Sequence, residues 1–379
     1  MTPDSAADRA FMAAALGLAR RGLGRVWPNP AVGCVIVRDG LVVGRGWTAP
    51  GGRPHAEAVA LERAGDLAHG ATAYVTLEPC AHHGRTPPCA DALVRAGVAR
   101  VVTALGDPDP RTAGEGHARL RQAGIAVAEG TGADAAEEVN AGFLKRVRHG
   151  RPLVTLKLAT TLDGRIATAA GESQWITGPR ARQDGHRLRA AHDAIIVGSG
   201  TALADDPGLT CRLPGLEGAS PVRVVFDGRL RLSPESRIAR TAGEVPAWVL
   251  TRADAAPERR RALERAGMRV LPVPGAYAEG LDAAAALAAL GDAGLTRVLV
   301  EGGGTLAAAL LKADAVDRIA WYRAPAVLGA DGRPGVGDLG IAHLDAMPGF
   351  RRAAWGPMGG DLAEFYTRAE EGAECLPGS

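Results

Sequence analysis

Apolar residues recur at helical spacing near the amino terminus, and two extended apolar runs follow. The predicted helix has a cap at Asp4 or Ser5. Its apolar face would consist of Phe11, Ala14, Ala15 and Leu18. The two runs, 31–37 and 41–47, flank Asp39-Gly40, a pair typical of a tight hairpin turn. The start of the chain is therefore predicted to form a helix followed by a β-hairpin.

Helices and strands alternate through the rest of the chain. After the hairpin, the pattern predicts a helix at 55–64, a strand at 74–77, a helix at 89–96, a strand at 98–105 and two further helices. Later strands are predicted at 153–159, 194–197, 222–226, 248–251, 270–273 and 298–300, with helices between most of them. This alternation is typical of layered α/β folds.

A basic run from Lys145 to Pro152 interrupts the pattern with charge, a glycine and a proline. Such a run is more typical of a solvated linker than of a nucleic-acid contact. A chain of 379 residues has room for two domains at about 150 residues each. We therefore predict one domain over 1–148, a second over 149–369 and a flexible tail over 370–379.

Composition narrows the classes of function. With 44 basic and 42 acidic residues the net charge is only +2, and the two signs are interspersed. This balance favours a small anionic substrate over long nucleic acid. No apolar run reaches the ~20 residues that span a bilayer, and the first residues lack a cleavage-site pattern. We therefore expect a cytoplasmic protein with no membrane partner.

Two of the five scattered cysteines belong to a candidate zinc site. His55-Ala56-Glu57 begins a predicted helix, while Cys80 and Cys89 lie between a predicted strand and the next helix. One imidazole and two thiolates leave tetrahedral zinc an open position for water, as a catalytic site requires. Glu57 could then carry protons from that water to a leaving amine. This chemistry is hydrolytic deamination.

The spacing departs from the H-x-E…P-C-x-x-C pattern of zinc nucleobase deaminases. Eight residues, not two, separate Cys80 from Cys89, and this polar, basic insert could meet a ribose or a phosphate. A closed structural site, with His82 or His83 as the fourth ligand, is the alternative. Asn29 precedes the hairpin, and its amide could read a pyrimidine edge.

A second candidate site follows the last of these predicted strands. Glu301-Gly302-Gly303-Gly304 leads into a helical run at 305–311, and amides at such a helix start can hold a phosphate. Lys157, Arg189 and Arg212 could supply positive charge. The turn lacks the Rossmann pattern and fits a structural role equally well.

Several motifs occur in a fixed order along the chain. In the first half they are Pro28-Asn29-Pro30, His55-Ala56-Glu57, the segment from Pro79 to Cys89 and Asp107-Pro108-Asp109-Pro110. In the second half they are Leu156-Lys157, Leu162-Asp163-Gly164, Glu172-Ser173-Gln174-Trp175-Ile176-Thr177, Leu203-Ala204-Asp205-Asp206-Pro207 and Glu301-Gly302-Gly303. From about residue 8 to about residue 369, the chain thereby resembles the RibD family, the bifunctional deaminase/reductases of riboflavin biosynthesis.

The resemblance implies a cytidine-deaminase-like three-layer α/β/α domain and a dihydrofolate-reductase-like α/β domain. The first would use Zn²⁺ to deaminate a pyrimidine nucleotide, 2,5-diamino-6-ribosylamino-4(3H)-pyrimidinone 5′-phosphate. The second would use NADPH to reduce the ribosyl group to ribityl. The alternatives are a chain with one active domain, a nucleic-acid deaminase and a structural zinc protein. A homo-oligomer is expected.

The matching motifs also imply roles for individual residues. His55, Cys80 and Cys89 would hold zinc, and Glu57 would shuttle protons. The substrate contacts would be Asn29, Arg85, Asp107 and Asp109 in the deaminase, and Lys157, Ser173, Arg189, Leu209, Arg212 and Glu301 in the reductase. The cofactor contacts would be Ala159, Trp175, Thr177, Thr201, Asp205, Gly303, Gly304 and Thr305. Thr48 stands where the family often has a histidine.

Overall fold

The structure is a computed structural model that describes residues 5–82, 87–109, 113–274 and 280–369. The chain divides into two compact units, Met1–Gly150 and Arg151–Ser379. Both units combine helices with a β-sheet, so the predicted α/β class is confirmed. Within the described residues, no helix has the length and apolar character needed to cross a membrane.

The first unit is built on a five-stranded sheet in the order β2-β1-β3-β4-β5. Its strands are β1 Gly33–Arg38, β2 Leu41–Trp47, β3 Thr72–Val75, β4 Arg100–Thr103 and β5 Ala126–Glu129. Its helices are α1 Ala6–Ala19, α2 Ala56–Ala64, α3 Cys89–Arg95, α4 Glu115–Gln122 and α5 Ala133–His149. Strand β1 is antiparallel to both of its neighbours, whereas β3, β4 and β5 are parallel.

Helices cover both faces of this sheet. Successive strand residues point to opposite faces. Ile36 and Val101 belong to a core shared with α2, α3 and α4, while Val35 and Val102 belong to a core shared with α1 and α5. The first unit is therefore the expected three-layer α/β/α fold.

The hairpin prediction is confirmed, whereas the buried face of the first helix is shifted by one residue from the predicted face. Asp39 and Gly40 have φ angles of 51° and 76°, as a tight hairpin turn requires. Ser5 caps α1 by accepting a hydrogen bond from the Asp8 backbone N–H at 3.0 Å. The buried apolar residues of α1 are Met12, Ala15, Leu16 and Ala19, whereas Ala14 is exposed. Alanine occurs on every side of this helix, so apolar spacing does not fix its face.

The basic run is not a linker, contrary to the prediction. Residues 145–149 form the last turns of α5, which ends at Gly150 with a φ of 68°. Basic residues are favourable there because the carboxyl end of a helix carries partial negative charge. The predicted tail, 370–379, lies outside the described residues.

The second unit is built on a nine-stranded sheet in the order β11-β10-β9-β8-β12-β6-β13-β16-β15. Its strands, with a separate β7–β14 pair, are β6 Leu153–Thr160, β7 Arg165–Ala167, β8 Ala194–Gly198, β9 Val222–Phe226, β10 Ala247–Arg252, β11 Arg269–Val273, β12 Arg297–Val300, β13 Arg318–Arg323, β14 Arg333–Pro334, β15 Phe350–Met358 and β16 Asp361–Arg368. Its helices are α6 Pro179–Ala190, α7 Ser199–Asp205, α8 Arg237–Arg240, α9 Pro257–Arg265, α10 Ala283–Asp292 and α11 Gly304–Lys312.

The strands of this sheet run parallel from β11 to β13, and β16 is antiparallel to both β13 and β15. All six strands predicted for this half are present. The sequence analysis missed β13, whose apolar run at 319–322 is only four residues long, and β15 and β16, whose charged and partly exposed residues interrupt the apolar ones. Because carboxyl ends of parallel strands meet at one edge, Ser199 after β8 and Glu301 after β12 lie at the same edge.

Candidate functional sites

His55, Cys80 and Cys89 come together in the first unit. His55 is the N-cap of α2, Cys89 is the first residue of α3, and Cys80 lies in the segment between β3 and α3. His55 Nδ1 lies 3.7 Å from Cys80 Sγ and 3.4 Å from Cys89 Sγ. A histidine nitrogen and a cysteine sulfur bound to the same tetrahedral zinc ion would be about 3.5 Å apart, given the usual Zn–N and Zn–S bond lengths. The three side chains therefore fit a shared zinc ion.

Hydrogen bonding prepares one of the two thiols for metal binding. A hydrogen bond with the Cys89 thiol lowers the pKa of Cys80 to about 4, and His55 adds to this effect against burial. The Cys89 backbone N–H also donates to Cys80 Sγ at 3.3 Å. Hydrogen bonding to Cys80, together with burial, raises the pKa of Cys89. A thiolate, the form that binds zinc, is thus favoured at Cys80.

Glu57 is buried beside the three ligands without belonging to their group. Burial raises its pKa to about 7; His55 opposes this shift and the charge of Cys80 adds to it. A carboxyl group with this pKa can both accept and donate a proton near neutral pH. The arrangement matches a catalytic zinc site with a separate proton carrier.

The insert between the two cysteines is described only at its ends. His82 is described but does not belong to the ligand group. His83 and Arg85 lie outside the described residues. In the described part of the chain, the closed structural site therefore has no fourth protein ligand.

Two predicted substrate contacts lie in the segment after β4. The Asp109 backbone N–H donates to Asp107 Oδ1 at 2.9 Å. Burial raises the pKa of Asp107 to about 6, with the charges of Asp109, Glu78 and Cys80 adding to the shift. The Asp107 backbone N–H also donates to Glu78 Oε2 at 3.3 Å, and Glu78 lies two residues before the metal ligand Cys80.

Asn29 and Thr48 make close contacts within the segments that flank β1 and β2. A Cβ at Gly52 would lie 1.9 Å from Asn29 Nδ2, so only glycine fits against the amide. Thr48 Oγ1 accepts from the Val32 N–H at 3.0 Å and donates to the Pro30 carbonyl at 3.2 Å. The Thr48 hydroxyl therefore ties the segment that carries Asn29 to the start of β1.

A second cluster lies at the carboxyl edge of the large sheet. Arg189 Nε and Nη2 donate to the two oxygens of Glu301 at 2.7 and 2.9 Å. Burial alone would raise the pKa of Glu301, but the charge and hydrogen bonds of Arg189 lower it to about 2. Burial also lowers the pKa of Lys157, whose amine makes no hydrogen bond within the described residues and lies 5.8 Å from the Tyr322 ring centre. Lys157 is half-buried, and its amine is available to a ligand.

Arg189 also connects this cluster to the predicted contacts in the segment after α7. Its Nη1 donates to the Thr210 carbonyl at 3.0 Å. Leu209 next to it is buried, while Arg212 is exposed and its backbone N–H donates to His186 Nδ1 at 3.3 Å. The structure thus brings Arg189, Leu209, Arg212 and Glu301 into one region. Among the described contacts, none joins Ser173 to it.

The glycine turn has two different functions. A Cβ at Gly303 would lie 3.7 Å from Thr201 Oγ1, so these two predicted cofactor contacts face each other. At Gly304 a Cβ would lie 2.5 Å from the Pro334 carbonyl, so glycine is required there for packing. Helix α11 begins without a side-chain cap, and Thr305 is exposed in its first turn. The Leu306 N–H donates to the Gly303 carbonyl at 3.1 Å, so within the described residues the N–H groups of Gly304 and Thr305 remain available to a ligand.

The remaining predicted cofactor contacts lie in three places. Trp175 is 64% exposed, and the guanidinium of Arg182 lies 4.7 Å from its ring centre. Arg182 Nη1 also donates to the Thr177 carbonyl at 2.8 Å. Asp205 ends α7, the helix that contains Thr201. Ala159 lies half-buried on β6. No described contact joins Trp175 to Asp205.

A cavity of about 500 Å³ opens beside the glycine turn, and sequence reasoning missed it. Its polar lining includes Ser199, Asp227, Arg229, Arg231, Arg252 and Thr305. Arg231 Nη2 donates to Ser199 Oγ at 2.6 Å. Asp227 is buried, and its Oδ1 accepts no hydrogen bond within the described residues. The sequence signal was the pair of arginines just after the predicted strand at 222–226.

Two protein-family models match the chain. The cytidine and deoxycytidylate deaminase zinc-binding region matches residues 5–105, and the RibD C-terminal domain matches residues 152–359. Riboflavin biosynthesis protein RibD of Escherichia coli strain K12 is 46% identical over 362 residues, which cover 93% of this chain and 94% of that protein. The protein of the same name from Aquifex aeolicus is 40% identical over 361 residues, covering 95% and 98%.

Solved structures show the same likeness. Acinetobacter baumannii RibD superposes with a TM-score of 0.86 at 38% identity, covering 96% of this chain and 99% of that one. A Thermotoga maritima protein superposes with a TM-score of 0.84 at 34% identity and the same coverage. That protein is described as a diaminohydroxyphosphoribosylaminopyrimidine deaminase/5-amino-6-(5-phosphoribosylamino)uracil reductase.

Proposed function

Because this chain belongs to the RibD family of riboflavin biosynthesis proteins, we propose that it deaminates 2,5-diamino-6-ribosylamino-4(3H)-pyrimidinone 5′-phosphate and then reduces the ribosyl group to ribityl. The family joins a zinc-binding deaminase domain to a reductase domain, so the chain is a hydrolase and an oxidoreductase. The observation that carries the deaminase proposal is the convergence of His55, Cys80 and Cys89 beside the buried Glu57.

In the deaminase, His55, Cys80 and Cys89 would hold zinc, which supplies an acidified water when bound. Glu57 accepts a proton on its carboxylate and delivers it to the departing amine, a role supported by its pKa of about 7. The substrate is held on one side by Asn29 and on the other by the segment after β4. The proposed substrate contacts are Asn29, Arg85, Asp107 and Asp109.

In the reductase, the half-buried Lys157 donates a hydrogen bond to the substrate beside the Arg189–Glu301 pair. The ionised Glu301 holds Arg189 in one orientation, since both of its oxygens are occupied. Lys157, Ser173, Arg189, Leu209, Arg212 and Glu301 are the proposed substrate contacts.

NADPH would supply the hydride in this second reaction. The cavity beside the glycine turn supports a dinucleotide there, because Arg229, Arg231 and Arg252 line it and the first N–H groups of α11 are near. The proposed cofactor contacts are Ala159, Trp175, Thr177, Thr201, Asp205, Gly303, Gly304 and Thr305.

The proposal also covers location and assembly. Reduced thiols at the metal site are compatible with the cytoplasm. The partner is a small pyrimidine nucleotide, with no requirement for nucleic acid or membrane. A homo-oligomer is proposed because the edge strand β15 carries Trp355, which is 65% exposed. The molar mass in solution tests this part.

Separate assays of the two steps test the proposal. NADPH consumption on the diamino substrate should require zinc, because deamination must come first. A chelator should stop that reaction, and addition of the already deaminated substrate should restore it. The proposed sequence of reactions is contradicted if NADPH consumption on the diamino substrate is unchanged by the chelator. It is also contradicted if neither substrate supports NADPH consumption.

A further inference from the structure

Glu78 lies directly before Pro79-Cys80 in the deaminase unit, outside both the metal group and the predicted substrate contacts. Its side chain is only 1% exposed. A buried carboxylate is unfavourable unless hydrogen bonds compensate for the lost water. The groups that bind it therefore indicate its role.

The Glu78 carboxylate accepts hydrogen bonds from four backbone N–H groups of one segment. Oε2 accepts from Asp107 at 3.3 Å and from Gly114 at 3.1 Å. Oε1 accepts from Gly116 at 2.9 Å and from His117 at 3.2 Å. One carboxylate thus fixes both ends of the segment that carries Asp107 and Asp109.

Three of these bonds go to the start of α4. The N-cap of this helix, Gly114, has no side chain to accept from the free N–H groups. Glu78, in the segment after β3, supplies the carboxylate oxygen that an N-cap Asp or Ser normally supplies at this position. The contact is close, because a Cβ at Gly116 would lie 2.0 Å from the Pro79 carbonyl oxygen. The backbone at Pro79-Cys80 and the start of α4 therefore hold each other in place.

We propose that Glu78 is a positioning residue of the deaminase that fixes Asp107 relative to Cys80. This inference rests on the proposed function, because it requires Asp107 to contact the substrate. Glu78 and Cys80 are two residues apart, so the segment that places a metal ligand also anchors the substrate-binding segment. Loss of the carboxylate weakens substrate binding while the metal ligands remain intact.

The test is Glu78→Gln in the full-length, zinc-loaded chain. Glutamine replaces one carboxylate oxygen with an NH2 group, which cannot accept hydrogen bonds. The two backbone N–H groups that donate to that oxygen therefore lose their acceptor. We expect the deaminase KM to rise about tenfold, with kcat within about threefold. Zinc content and the reductase rate stay unchanged. Because Glu78 acts through Asp107, the double variant Glu78→Gln/Asp107→Ala has nearly the KM of Asp107→Ala alone.

Asp91→Asn is the matched control. It removes the 2.9 Å ion pair between Asp91 on α3 and Arg119 on α4 and keeps all four hydrogen bonds to Glu78, so KM stays unchanged. Glu78→Asp keeps the charge on a shorter side chain and gives a smaller rise in KM. It also serves as the second variant if Glu78→Gln does not fold.

The proposal is overturned by an unchanged KM in the folded Glu78 variant, by loss of zinc, by an equal rise in the Asp91 control or by additive effects with Asp107→Ala. Failure of the unmodified chain to deaminate the substrate overturns the proposed function instead. The two failures are therefore distinguishable.

Discussion

Arg189 and Glu301 form a two-point ion pair, with hydrogen bonds of 2.7 and 2.9 Å, at the carboxyl edge of the large sheet. The pair joins α6 to the turn after β12. The nearby amine of the half-buried Lys157 has no hydrogen-bond acceptor among the described residues. This combination fixes a positive group at the point where the substrate of the reductase is proposed to bind.

Glu301→Gln removes the charge that holds Arg189 in place. We expect the reductase kcat/KM on the deaminated substrate to fall about 100-fold, because Arg189 and Lys157 are left without their counter-charge. NADPH consumption measures the effect. Glu364→Gln is the control, since Glu364 is also buried and paired with Arg323, but lies on β16. Equal losses in both variants would show a general effect on stability.

Cys89→Ser removes one of the three proposed zinc ligands. We expect zinc to fall from one ion per chain to well below one, and deamination to be lost, while the reductase still consumes NADPH on the deaminated substrate. Metal analysis and the two assays check this. Cys211→Ser is the control, because Cys211 is buried in the other unit and lies outside the ligand group. Full zinc content in Cys89→Ser would contradict the assignment.

Arg231→Ala tests the choice between NADPH and NADH. Arg231 lines the cavity beside the glycine turn and is held by Ser199 at 2.6 Å. A guanidinium there favours the extra phosphate of NADPH. We expect NADPH to bind about tenfold more weakly, with NADH binding unchanged, as measured by titration calorimetry. Arg240→Ala, on α8, is the control. A parallel loss for both cofactors would contradict this role.

Asp8→Asn tests a buried ion pair in the first unit. Arg100 donates to both oxygens of Asp8 and holds the pKa of that carboxyl well below its usual range. A carboxyl group whose pKa is lower in the folded than in the unfolded chain stabilises the fold at pH values above its unfolded pKa of about 3.9. This stabilisation is lost as the pH falls from there towards the folded pKa. We expect the variant to lose about 2 kcal/mol at pH 7 and the difference to narrow towards pH 3.

Urea unfolding of the first unit measures this difference. Asp39→Asn is the control, because Asp39 is 91% exposed beside Arg38 and its replacement should change stability by less than about 0.5 kcal/mol. A difference for Asp8→Asn that stays constant from pH 7 to pH 3 would contradict the proposed charge effect.

The metal group could be predicted from the sequence because two of its three ligands lie at the start of a helix. His55 precedes α2 and Cys89 begins α3, so local patterns place both side chains. The role of Glu78 could not be predicted. The four groups that donate hydrogen bonds to Glu78 lie 29 to 39 residues away along the chain and are backbone N–H groups. Because every residue type except proline has such a group, the pattern of residue types does not reveal them.

Errors in the predicted fold have equally local causes. The charges at 145–149 end the apolar periodicity and thereby predict a linker, yet Phe143 and Leu144 keep α5 packed one turn earlier. Strand β15 was missed because most of its residues are exposed at the edge of the sheet. Periodicity detects elements with a buried face and fails where an element has little of its surface buried.

The most direct test of the account is mass spectrometry of the zinc-loaded protein with the diamino-ribosylamino-pyrimidinone phosphate, before and after addition of NADPH. We predict exchange of an amine for an oxygen without NADPH, followed by a gain of two hydrogens once it is added. Glu57→Gln should slow the first change by about 10²- to 10⁴-fold, retain zinc and still allow the second change on the deaminated substrate. Unchanged substrate mass with zinc bound, or full deamination by Glu57→Gln, would contradict the account.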